Sequence, residues 1–220
     1  MMKNAIVVIL FFLIGSLLYA QEGVAYIREF IGTVEVKSPG TTEWRSARTG
    51  ERLQNDTMVS TGFQSTAFIA LGNSTLLVRP LTRLSLEEIQ NARGNESVRL
   101  RLQAGRVRAD VNPPPGGQTN FTVISPMVTA SVRGTSFEFN GEDLAVDEGR
   151  VHVTGGDGSA VYVGAGHKVF SNPETGRTLG AMDTVKEELA PPLPMAAAES
   201  AVEPAAAMSA EDTGFGFEWN

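Results

Sequence analysis

The sequence contains no cysteine. Disulfides, thiolate nucleophiles, cysteine-held metals and a lipidated N-terminal cysteine are therefore excluded together. Histidine occurs only at His152 and His167, and a metal needs three or four converging ligands, so a metal site would rest mainly on carboxylates. No G-x-S-x-G elbow, phosphate-binding loop or dinucleotide fingerprint is present. There is no excess of positive charge either: Lys and Arg total 18 against 25 Asp and Glu. That balance argues against a nucleic-acid binder.

The first substantial feature is a leader. Lys3 precedes an apolar run from Ala5 that continues through Tyr19 to Ala20, ahead of Gln21-Glu22. One basic residue, a short apolar stretch and a small residue at its end predict a secretory signal peptide over 1–20. The run is shorter than the roughly 20 residues of a membrane-spanning helix, so no membrane span is expected after cleavage; an uncleaved anchor is the alternative. Charge is concentrated at the other end, where residues 181–220 hold eight acidic residues against Lys186 alone. The body, 21–180, carries 16 basic and 17 acidic residues and is nearly neutral. Pro191-Pro192-Leu193-Pro194 and the Ala-, Glu- and Pro-rich sequence after it predict a disordered tail over 181–220. A brief amphipathic stretch, Met182–Leu189, leads into it.

Between Gly23 and Leu179 short apolar alternations are broken every few residues by Gly, Asn, Asp or Pro. Period 2 is plain in Thr33-Val34-Glu35-Val36, Val98-Arg99-Leu100-Arg101-Leu102 and Phe121-Thr122-Val123-Ile124. It recurs in Phe137-Glu138-Phe139, Val151-His152-Val153 and Val161-Tyr162-Val163. Such segments form half-buried strands, and the domain is predicted to be all-β; Leu84–Ile89 is the one stretch that could form a helical turn. A loose repeat, G-x-V-x-[VA], begins at Gly32, Gly105 and Gly149. Each glycine is expected to take a positive φ, with a strand starting immediately after it. Asn112-Pro113-Pro114-Pro115-Gly116-Gly117-Gln118 cannot enter a ladder and predicts a surface loop.

The segment Ser125-Pro126 through Val132-Arg133-Gly134-Thr135-Ser136-Phe137 resembles the FecR family, whose domain carries T-P followed by V-R-G-T-x-F and then a G-x-V strand. Gly32-x-Val34-x-Val36, Trp44, Ala47, Gly50, Leu53, Asp56 and Thr61-Gly62 are similar to its opening. Ser65-x-Ala67-x-Ile69-x-Leu71-Gly72-Asn73-Ser74 and Val163-x-Ala165-Gly166 fit as well, so the resemblance covers about residues 24–170. Ser125 departs mildly from the usual threonine. The resemblance and the loose repeats favour a twisted β-solenoid or roll of short strands, with an antiparallel β-sandwich as the alternative. Family members of the best-known branch regulate sigma factors through a cytoplasmic domain joined to this one by a membrane helix. Four residues precede the apolar run here, so the resemblance implies the periplasmic sensing half used alone.

Arginine is the most suggestive side chain. Arg99, Arg101, Arg106 and Arg108 alternate with apolar residues on two segments joined at Gln103-Ala104. Paired as a hairpin, they would share one face able to hold carboxylates or phosphates bidentately; a charged face that guards against edge aggregation is the alternative. Arg133 is expected either to brace a local turn, through carbonyls or Glu138, or to contact a partner. Phe215, Phe217 and Trp219 fall on one side of an extended segment that could add to a sheet edge. His152 and His167 read as exposed strand residues and Asp157 as part of a hairpin turn. Glu87-Glu88 and Glu142-Asp143 read as solvated turns. No catalytic set, metal or cofactor emerges, so the sequence predicts a non-enzymatic, exported binding and signalling module of the periplasm or cell envelope. Its expected partner is another envelope protein, such as an outer-membrane or signalling protein; binding to peptidoglycan or another envelope glycan is the alternative.

Overall fold

Alternation of small apolar and polar residues along nearly every segment leaves each strand one dry and one wet face, and two sheets bury the dry faces together. A computed structural model describes residues 21–22, 25–172 and 175–180. The predicted leader, the amphipathic stretch Met182–Leu189, the acidic tail and the aromatic triplet Phe215, Phe217 and Trp219 lie outside the described residues.

The described chain is all-β. Its strands are β1 (Gln21–Glu22), β2 (Ala25–Ile31), β3 (Val34–Lys37), β4 (Arg45–Ser46), β5 (Arg52–Leu53) and β6 (Thr57–Thr61). Next come β7 (Thr66–Leu71), β8 (Ser74–Val78), β9 (Arg83–Ala92), β10 (Asn95–Ala104), β11 (Val107–Asp110) and β12 (Thr119–Ile124). Then follow β13 (Val128–Val132), β14 (Ser136–Phe139), β15 (Leu144–Glu148) and β16 (Arg150–Gly155). The last are β17 (Ala160–Gly164), β18 (Lys168–Ser171) and β19 (Thr178–Gly180).

One sheet has ten strands, in the order β17-β16-β13-β12-β10-β9-β6-β3-β4, with β1 also on β9. The other has nine, in the order β19-β18-β15-β14-β11-β8-β7-β2-β5. Neither sheet closes on itself. Neighbours run antiparallel except β10 and β12, which are parallel. The chain lays down one or two strands in one sheet, crosses to the other, and repeats. A single core draws on both sheets. Phe121 of β12 and Phe137 of β14 meet edge to face across it, with centroids 6.3 Å apart; burying each ring contributes about 2–3 kcal/mol.

The three repeat glycines are sheet crossings. Gly32, Gly105 and Gly149 have φ of +79°, +91° and +82°, and each sits between a strand of one sheet and the first strand laid in the other. Each is also pressed against a buried hydroxyl residue: Ser65 beside Gly32, Thr82 beside Gly105 and Thr135 beside Gly149. The hydroxyls fasten the crossings to one another. Ser65 Oγ accepts the Thr33 N–H at 2.8 Å. Thr82 Oγ1 accepts the Arg106 N–H at 2.9 Å, and Thr135 Oγ1 donates to the Arg150 carbonyl at 3.1 Å. Val132 through Phe137 therefore makes a crossing and its fastening.

Two local expectations are corrected. Leu84–Ile89 is not a helical turn but part of β9, and Glu87-Glu88 is not a turn. A bulge opposite Arg99 and Leu100 inserts one extra residue in β9. Leu86 and Ile89 therefore both point inward although they are three apart, and this spacing imitates a helical period. The Asn112–Gln118 loop, the Glu142-Asp143 turn and the Asp157 turn occur where the composition placed them.

Candidate anion-binding site

The expected single arginine face does not exist. After Ala104 the chain turns at Gly105 and crosses, so β10 lies in the ten-stranded sheet and β11 in the other. Arg99 and Arg101 thus project from one side of the stack, and Arg106 and Arg108 from the opposite side. All four are neutralised by the protein itself. Arg99 lies 3.6 Å from Glu88 and Arg101 is paired with Glu87, the two carboxylates that the β9 bulge turns outward. Arg106 meets Glu138 at 3.3 Å, a carboxylate shared with Arg79 at 3.0 Å. Arg108 meets Asp147 at 2.8 Å. Glu138 is therefore engaged on the nine-stranded sheet, and Arg133 does not brace it.

Arg133 stands in a different setting. Val132 pairs with Val151 at the end of the β13–β16 ladder. One step further along, Arg133 and Arg150 occupy opposed positions, both exposed. Just beyond them, the Gly134 carbonyl and Gly149 approach so closely that a β-carbon on Gly149 would lie 2.8 Å from that oxygen. Like charges directly opposed across antiparallel strands are destabilising. Neither arginine forms an ion pair among the described residues.

The pair lines an open hollow of about 680 Å³ with Asn120, Ser131, His152 and Tyr162. Among the described residues no carboxylate lines it. Asn120 holds the matching step on β12, since Phe121 pairs with Val132. The next row inward is Thr122, Ser131, His152 and Tyr162 in direct register. His152 is half-buried and tilts against Tyr162 with centroids 4.7 Å apart, while Tyr162 is 68% exposed. Arg150 and Tyr162 also line an adjoining hollow with His167 and Lys168. The surface is thus rich in hydrogen-bond donors and positively charged. Sequence reasoning singled out Arg133 but missed Arg150, Asn120 and Tyr162, and set His152 aside.

Other titratable groups are engaged locally. Asp157 Oδ1 accepts the Ser159 N–H at 2.8 Å in the β16–β17 turn, and its hydrogen bonds to Ser159 hold its carboxyl below the usual range. His167 Nδ1 lies 2.9 Å from the Ala165 carbonyl. Among the described residues no group of three or more His, Asp or Glu is placed to hold a metal ion. Glu96 is the buried carboxyl among the described residues: it is 5% exposed and accepts the Asn73 N–H at 3.2 Å from the β7–β8 turn. Burial pushes it above the usual carboxylate range, against the opposing hydrogen bonds from Asn73 and Thr119.

The family model described as FecR protein matches residues 57–161, from the start of β6 into β17. That stretch includes both opposed arginines and His152. Two crystal structures of a "putative anti-sigma factor" from Parabacteroides distasonis are similar at a TM-score of 0.46 and 17% identity. Each match covers 56% of this chain and 58% of that one, so it spans little more than half of either. No curated protein matches the chain.

Proposed function

Because residues 57–161 make this chain a FecR-domain protein, we propose that it is a non-catalytic binding and signalling module of the cell envelope, exported by residues 1–20 and acting through contact with another envelope protein. The FecR domain supports the coarser part of this reading, a signalling-related envelope module. The observation that carries protein contact is the opposed Arg133–Arg150 pair. It is exposed, has no counter-ion among the described residues and is set in a shallow donor-rich surface instead of a closed pocket. Among the described residues no helix is long and apolar enough to cross a membrane.

The test is capture from envelope extract with the full chain as bait, compared with the R133E/R150E variant. A defined protein should be retained by the parent and lost by the variant. Retention of no protein by the parent would overturn protein contact. The exposed Tyr162, stacked on His152 beside two arginines, gives a second reading some footing, because an aromatic face flanked by charge also suits a sugar ring. Binding to protein-free peptidoglycan sacculi that weakens with added salt would favour that reading.

A further inference from the structure

We infer that the opposed Arg133–Arg150 pair binds a carboxylate-bearing peptide, an extended Asp/Glu-containing segment of the partner laid across the outer face of the ten-stranded sheet. This rests on the protein-contact reading and specifies its chemistry. Where β10 and β11 present arginine, a carboxylate is supplied from another strand. Arg99 stands opposite Glu88 in the β9–β10 register, and Arg108 opposite Glu138 in the β11–β14 register. At the end of β13 and β16 the same architecture places arginine opposite arginine, and the neighbouring position on β12 is Asn120. No carboxylate among the described residues lines the hollow at this pair.

The extent of the surface selects the ligand. Arg150 belongs to both hollows, so positive charge continues from Arg133 through Arg150 to Lys168. On the β17 side Arg150 faces Gly164, which has no side chain to obstruct the path. A single small anion would engage one point of this strip, whereas an extended acidic segment can place successive carboxylates along it. Guanidinium forks suit planar carboxylates in bidentate pairs. Ser131, Asn120 and Tyr162 add neutral donors beside the charges.

The test uses the full chain and a hexaglutamate peptide in calorimetric titration at low salt, with inorganic phosphate as a second probe. R133Q/R150Q is compared with R28Q/R52Q, which removes two exposed arginines from the other sheet and so matches the charge change. Hexaglutamate should bind the parent more tightly than phosphate does. R133Q/R150Q should weaken it by at least about tenfold, the scale of one charge-assisted contact, and R28Q/R52Q should leave it within about twofold. The melting temperature of R133Q/R150Q should equal or exceed the parent's, because a like-charge opposition is relieved; a purely structural pair would lower it. No binding of hexaglutamate, equal weakening in both variants, or phosphate binding as tightly as the peptide would overturn the proposal. Partner capture that survives R133Q/R150Q would sink this inference alone. A parent that binds hexaglutamate yet captures no envelope protein would sink the protein-contact reading instead.

Discussion

Substituting Gly105 by alanine isolates what the sheet crossings contribute. Gly105 has φ +91°, and a β-carbon there would overlap Thr82 Cα, Thr82 Oγ1 and the Leu81 carbonyl oxygen. Gly40 is the control: its φ is +71°, yet nothing lies within 4 Å of the same position. Forcing an L side chain into a left-handed conformation costs roughly 1–2 kcal/mol. Stiffening the unfolded chain returns roughly 0.4–1 kcal/mol. G40A should therefore lose about 1 kcal/mol. G105A meets backbone as well as side chain, and overpacking of that kind adds roughly 1–3 kcal/mol, for a total of about 2–4 kcal/mol. In a domain of this size each kcal/mol moves the melting temperature by roughly 2–4 °C, so calorimetry should find G105A lower by about 5–15 °C and G40A by only a few degrees. Equal losses in the two variants would show that φ alone matters and that the crossing is not tightly fastened.

Two further outcomes follow from buried polar groups. Thr82 is 1% exposed, so Thr82→Val should strand the Arg106 N–H and cost about 1–3 kcal/mol in urea unfolding, whereas Thr82→Ser should recover most of it; equal losses would remove the hydroxyl from the account. Glu96 has a folded pKa above its unfolded one, so over the window between the two values the folded state binds more protons and stability falls as pH rises. Glu96→Gln should abolish that component, and the stability difference between variant and parent should therefore change with pH through this window. A pH-independent difference would refute the assignment. Glu51 works in the opposite direction: burial raises its pKa, but Arg45 and the Arg48 N–H outweigh this and leave it lowered, so its stabilisation is lost on acidification. The comparison must therefore be made between variant and parent at each pH.

Strand character was legible because it depends on nearest-neighbour alternation, and the G-x-V repeat announced the crossings because only glycine is easy at those φ values. Sequence distance hid the pairing. Nothing local to Gln103-Ala104-Gly105 tells whether the chain folds back beside β10 or passes to the other sheet, and the arginine hairpin failed on that choice. The bulge in β9 misled in another way, since an extra outward residue turns a period of two into a spacing of three. Arg150 did leave a trace: Val132-Arg133-Gly134 and Gly149-Arg150-Val151 are the same triplet in opposite directions. Antiparallel pairing of such mirrored triplets brings their central residues face to face.

The parallel ladder between β10 and β12 has a consequence for how the polypeptide can be divided. The Pro113–Gly117 loop lies between β11, which is held on both sides by β8 and β14, and β12, which is held by β10 and β13. A protease that nicks this loop would leave two pieces locked by ladders in both sheets, and the severed protein should travel as one species until denaturant parts it. The same geometry makes the loop a natural seam for expressing the domain as two complementing fragments.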